Sequence, residues 1–206
     1  ERAEANLEKA DFPNRKNERW KYTNVNGINK LLLDRKSSSS SAQNVISKDS
    51  EKLFISNGVV IENQTQISGV TTNWSVIPSK NTEDPFDALN LLYCTSVIEI
   101  SFDQDKEKVI ELVFDNHRDT AICPRLFVNC LKGAKGTLIL NFQGNEDSTC
   151  FTNTSTFIEV EENAHLSLHK IQKNGLSSFD LQREYVNQAA NSTFTINTFS
   201  LSGRLT

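Results

Sequence analysis

Apolar and polar residues alternate along most of this chain, and in its second half the alternation recurs with a fixed period. Leu138 and Leu140, Leu166 and Leu168, and Phe194 and Ile196 each stand two apart, which in an extended chain places both members on one face. Six residues before Gly133, Asn163 and Asn191 stand the aromatics Phe127, Phe157 and Tyr185, and one residue after them stand the small Ala134, Ala164 and Ser192. Five residues after them come the branched aliphatics Leu138, Leu168 and Ile196, and the aromatics are spaced by 30 and 28 residues. A recurrence of that length, built from strands and turns, predicts a solenoid of stacked coils. Equivalent side chains would then lie about 4.8 Å above one another. Gly133 and Asn163 suit the corner between two strands because Gly and Asn accept positive φ at little cost. An antiparallel sandwich with strands every ten or so residues is the competing arrangement.

Further alternation in Ile98, Ile100 and Phe102, and in Ile110, Leu112 and Phe114, predicts a first coil ahead of the three matched units. Upstream, Leu53 to Ile61 reads as strand, Asn57-Gly58 turn, strand. Asp84-Pro85-Phe86 predicts a short helix through Tyr93, with Asp84 as cap and Pro85 in its first turn. Residues 1 to 11 are rich in Ala, Glu, Leu and Lys and predict a helix stopped at Pro13. The run Ser37 to Ser41 reads as a connector. The fold expected is mainly β, a right-handed parallel β-helix (β-solenoid) preceded by a small helical N-terminal module. Residues 1–41 form the module and linker, 42–96 lead into the solenoid with a hairpin and a short helix, and 97–206 form the β-helix core. The chain has no methionine and ends at Leu205-Thr206 without a capping element for its last coil, so it is expected to be a fragment truncated at the C-terminus.

Composition narrows the function. At 206 residues the chain is long enough for one sizeable core. A net charge of −4 and an isoelectric point near 5.5 argue against nucleic-acid binding by bulk charge. Against that balance, the aromatics and bases between Phe12 and Thr23 read better as a segment pinned to the body than as a base-stacking patch. No run is long enough to span a membrane and no signal peptide opens the chain, so a cytoplasmic location is expected. Cys94, Cys123, Cys130 and Cys150 are sparse and irregular, as reduced thiols would be.

Candidate chemistry is weak throughout. His165 and His169 lie four apart in a predicted strand, about 13 Å, too far to share an ion, and they alternate against Leu166 and Leu168 and so face solvent. Asp103 to Lys108 lacks the Gly and Glu of a calcium loop and reads as a solvated turn. Glu159, Glu161 and Glu162 read as a polar outward edge and not as a catalytic acid pair. His117 near Cys123 gives no triad logic. Asn63, Asn73, Asn153 and Asn191 head Asn-x-Ser/Thr triplets that matter only in a secreted protein. Cys130, beside Val128 and Leu131, reads as a buried small hydrophobe, and the pair with Cys123 makes no cluster site. No catalytic, cofactor-binding or metal residue is assigned, and the chain is not expected to be an enzyme.

Phe12-Pro13-Asn14-Arg15-Lys16-Asn17-Glu18-Arg19-Trp20-Lys21-Tyr22-Thr23 resembles the N-terminal signature of the SufB/SufD family of iron–sulfur cluster assembly, on its SufD side. The family often has Thr where this chain has Asn14. Asp84 to Asn90 is similar to its Pro-Phe-x-Ala-Leu-Asn segment, Cys123-Pro124-Arg125 to its Pro-Arg before a strand, and Phe199 to Leu205 to its Gly-Gly-x-Leu stretch. The resemblance implies a non-catalytic scaffold subunit with a β-helix, working with a SufB-like subunit and a SufC-like ATPase. A homodimer stays open for the chain in isolation. An iron–sulfur cluster would sit at the SufB interface beyond Thr206, with no cofactor in the residues present. The alternative from another class is a β-helix carbohydrate-binding or carbohydrate-cleaving protein, which would call for secretion and a row of acids and aromatics along one sheet.

Overall fold

A computed structural model describes residues 28, 50–61, 67–72, 84–104, 106–116, 120–147 and 149–204. The Phe12 to Thr23 segment, the serine run, Asn63, Asn73 and His117 lie outside the described residues, as does the N-terminal module apart from Ile28. Among the described residues no helix is long and apolar enough to cross a membrane.

The strands are β1 (Glu51–Ser56), β2 (Val59–Val60), β3 (Val70–Thr72), β4 (Ser96–Phe102), β5 (Lys108–Asn116), β6 (Thr120–Ile122), β7 (Pro124–Cys130), β8 (Lys135–Gly144), β9 (Cys150–Val160), β10 (His165–Lys173), β11 (Phe179–Gln188) and β12 (Thr193–Ser202), with helix α1 (Pro85–Leu92) before β4. They wind into a parallel β-solenoid of about 4 turns. One sheet, A, runs β12-β10-β8-β5-β1-β2, and the other, B, runs β11-β9-β7-β4-β3. Each coil contributes one strand to each sheet, so β4–β5, β7–β8, β9–β10 and β11–β12 stack with all neighbours parallel. This is the β-helix expected from the recurrence and not the sandwich.

The recurrence has a direct physical basis. Gly133, Asn163 and Asn191 carry φ of 70°, 59° and 58° at equivalent corners, the left-handed conformation that Gly and Asn tolerate. Ala134 and Ala164 follow them fully buried. Backbone hydrogen bonds continue around the bend, from Gly133 N to Glu162 O at 3.0 Å and from Asn163 N to Ala190 O at 3.1 Å. The corner is therefore paired between coils like the sheets it joins. Leu138 and Leu168 are in register on the inner face. Phe127, Phe157 and Tyr185 are also in register and stack at ring-centroid distances of 5.2 and 4.9 Å, on the outer face of sheet B.

The interior core gathers Ile98, Ile100 and Phe102 from β4 with Ile110, Leu112 and Phe114 from β5, the expected first coil. Phe114 and Phe142 stack inside it at 4.7 Å. The Asn57-Gly58 hairpin forms with φ of 46° and 84°, and β1 also runs parallel to β5, extending sheet A beyond the first coil. A second apolar cluster joins Phe86 and Leu89 of α1 to Phe151, Phe179, Ala121 and Ile28. α1 itself begins as expected, with Asp84 accepting from the amides of Phe86 (2.8 Å) and Asp87 (3.1 Å) and Pro85 in the first turn.

One expectation fails here. Lys108 is not in a solvated turn but opens β5 and is buried. It shares the inward face with Ile110, Leu112 and Phe114 by strand parity, and its amine is satisfied by Ser68 Oγ at 3.2 Å and Asp103 Oδ2 at 3.5 Å.

Candidate functional site

Each candidate from the sequence occupies a structural position. His165 is exposed and His169 faces outward between buried Leu168 and Lys170, its Nδ1 lying 3.4 Å from Asn197 Nδ2. Glu159 accepts from Asn187 (2.9 Å), Glu161 from the Lys132 amide (2.8 Å), and Glu162 pairs with Lys132 Nζ at 2.7 Å. These three carboxylates link one coil to another along the outer edge. Asn153 is fully buried and so unavailable to a glycosyl donor.

All four cysteines are free. Cys130 is buried, with its thiol 3.7 Å from the carbonyls of Ala134 and His165. Burial pushes its pKa up to about 11, with the nearby Glu161 charge acting in the same direction. It stays a thiol at neutral pH, where a cluster ligand would be a thiolate. Burial also raises Cys94. Among the described residues no group of three or more His, Cys, Asp and Glu side chains could hold a metal ion.

The most elaborate polar site was not foreseen. It lies under α1, on the outer face of sheet B, where two segments far apart in sequence meet. Arg125, at the start of β7, is fully buried and donates Nη1 to Asp87 Oδ1 at 3.1 Å and to Asn90 Oδ1 at 2.8 Å. Asp87 also accepts from Ser155 Oγ at 2.7 Å. Asn90 donates to the carbonyls of Pro124 (2.9 Å) and Asn153 (2.6 Å), and Asn153 returns a bond to the Phe86 carbonyl at 2.8 Å. The Arg125 guanidinium lies 4.7 Å from the centre of the Phe157 ring, the middle member of the aromatic stack. Arg183, two coils further, donates to Asn153 Oδ1 and stands 5.9 Å from the Phe86 ring.

This arrangement fastens the helix to three successive coils. The cation–carboxylate pair is removed from water, where its hydrogen bonds are strong and its geometry strict. Alternation alone puts Arg125 on the outer face with Phe127, and hence in solvent; nothing in the spacing says that α1 covers it. The usable signal was the pair of similar segments, Asp84 to Asn90 and Cys123 to Arg125, which the fold brings into contact.

A second polar region lies inside the solenoid at its last coils. Lys170 shares the inner face with Leu166 and Leu168 yet is buried, its Nζ 2.7 Å from Glu184 Oε1 across the interior. Next to it, the register sets Thr152, Thr154 and Thr156 of β9 against Asp180, Gln182 and Glu184 of β11. Asp180 is buried, and burial raises its pKa to about 6 against the opposing hydrogen bond from Asn174.

Residues 113–206, from within β5 to the end of the chain, match the family model described as SUF system FeS cluster assembly, SufBD core domain. No curated protein matches the chain. The matched span begins within the first coil and takes in the three that follow, so this part of the chain is similar to the SufBD core domain, a match that does not separate SufD from SufB.

Proposed function

We propose that this protein is a non-catalytic scaffold subunit of a Suf-type iron–sulfur cluster assembly complex, of the SufD kind. The observation that carries the reading is the match of residues 113–206 to the SufBD core domain. The similarity of Phe12 to Thr23 to the SufD signature favours SufD over SufB. The partners are a SufB-like subunit and a SufC-like ATPase, ATP turnover belongs to the latter, and the complex works in the cytoplasm. A cluster passing through such a complex is its cargo, held at the contact with the SufB-like subunit. The polar groups of the described coils fit a structural role, since Glu159, Glu161, Glu162, Asp87 and Arg125 all bond one segment of the chain to another. For a carbohydrate-cleaving β-helix the same glutamates would have to stand free in a groove.

The test is co-purification of the full-length protein with SufB-like and SufC-like subunits from its own source, with sizing and anaerobic iron and sulfide analysis. A stable ternary complex is expected. A folded chain that never associates with either subunit would sink the scaffold reading while leaving the β-helix intact.

A further inference from the structure

The turn at residues 174–178, between β10 and β11, gathers bonds from two coils and from both ends of the fourth. Asn174 donates Nδ2 to Asp180 Oδ2 at 2.6 Å and accepts Ser202 Oγ on its carbonyl at 2.6 Å. Ser178 accepts the Cys150 amide on Oγ at 3.0 Å and the Arg204 amide on its carbonyl at 2.8 Å. The start of the third coil and both the start and the end of the fourth are thus tied at one point, and Asp180 is the ionisable group within it.

We propose that this turn is an acid-tightened clasp, in which protonation of Asp180 holds the end of the fourth coil against the third and ionisation loosens it. Among the described residues none supplies a charge to balance the carboxylate. From β9 Asp180 meets Thr152 in register, with Cys150 next along that inner face. From β10 the nearest inward cation is Lys170, which is committed to Glu184 on β11 itself; Lys173 is exposed at the strand end. Arg204, beyond β12, lies 5.5 Å from the ring of Phe179, on the other face of β11. Among the described residues Asp180 makes no ion pair, and its Oδ1 has no hydrogen-bond partner. A buried carboxylate so placed favours its neutral form, as the shift from 3.8 to about 6 reflects.

The sign follows from linkage. The folded pKa is raised, so the stabilisation is complete below the ordinary value near 3.8 and is lost as pH rises through about 6. Opening of the clasp should then become about a hundredfold more favourable across that window. Native-state hydrogen exchange of the Cys150 and Arg204 amides, corrected for intrinsic rates, reads it directly. The amides of Gly133 and His165, at the opposite corner, are the internal reference. The expected result is a pH-dependent loss of protection at the first pair beyond that at the second, abolished in Asp180→Asn. Wild-type dependence persisting in the variant, or equal changes at both corners, would overturn the proposal. Direct carbon-13 titration of the Asp180 carboxyl in the wild-type protein covers failure of the variant to fold: a midpoint near 6 supports the clasp and one at or below 4 removes it.

Discussion

The two ends of the solenoid interior solve the same packing problem in different ways. In the first coils the inward row is mainly apolar, with Ile98, Ile100, Phe102, Ile110, Leu112, Phe114, Leu138, Leu140 and Phe142 in a single cluster and Lys108 buried at its edge. In the last coils the same inward positions carry Thr152, Thr154, Thr156, Lys170, Gln172, Asp180, Gln182 and Glu184. Backbone pairing is parallel in both, in register along the whole of β5–β8 and along β10–β12 as far as a shift between Gln172 and Lys173. Coil geometry therefore comes from the corners and the parallel ladders, while the interior residues set how firmly coils hold together. An apolar interior is indifferent to pH, but one built from paired charges depends on every partner being present.

The largest effect should come from the buried charge pair outside the coils. Arg125→Ala would leave Asp87 in a dry site without its cation, at a cost of about 3–5 kcal/mol. Chemical denaturation of the variant reads this, and a loss no greater than that of a surface substitution would mean that α1 lifts away and solvates Asp87. Within the coils, Leu168→Ala should cost about 2–5 kcal/mol through the cavity it leaves in the apolar interior. A measured cost near zero would place the row of Leu138 and Leu168 on the wrong face.

Gly136 offers a subtler probe of the apolar end. It lies on β8 where an added Cβ would come within 2.3 Å of the Phe102 ring, so the absence of a side chain is a packing requirement of the first coil. Gly136→Ala should cost about 1–3 kcal/mol through overpacking. Pairing it with Phe102→Leu, which shortens the opposing side chain, should recover part of that loss; a strictly additive double variant would contradict the contact.

Much of this architecture was legible because it depends on local rules. Asn57-Gly58 announces a hairpin, Asp84-Pro85 a helix start, and the corner residues announce themselves by tolerating positive φ, as their dihedrals show. Strict alternation identified the inward leucines and the outward histidines. Carried past Leu168, the same rule puts Lys170 indoors, against the residue's ordinary preference for solvent, and puts Lys108 beside Ile110 in the same way. Arg125 was beyond any rule of period, because its burial depends on a helix that arrives from 35 residues earlier in the chain and covers one stretch of sheet B. Local pattern decides which face a side chain takes, and tertiary placement decides whether that face is wet.

His169 isolates the first half of that distinction. It follows Leu168 directly on β10, shares its backbone ladder with β8 and β12, and differs only in pointing away from the interior. Its one described side-chain contact is with Asn197 at 3.4 Å, at the weak end of hydrogen bonding and exposed to water. Replacing it with Ala removes little buried area and leaves no cavity, so the change should fall within about 0.5 kcal/mol. The comparison with Leu168→Ala is then between two neighbouring residues on one strand, with strand propensity and position held nearly constant. Equal costs at the two sites, read by the same denaturation experiment, would mean that β10 does not divide an inside from an outside. A large difference assigns the cost to facing alone, the property on which the recurrence of the whole solenoid rests.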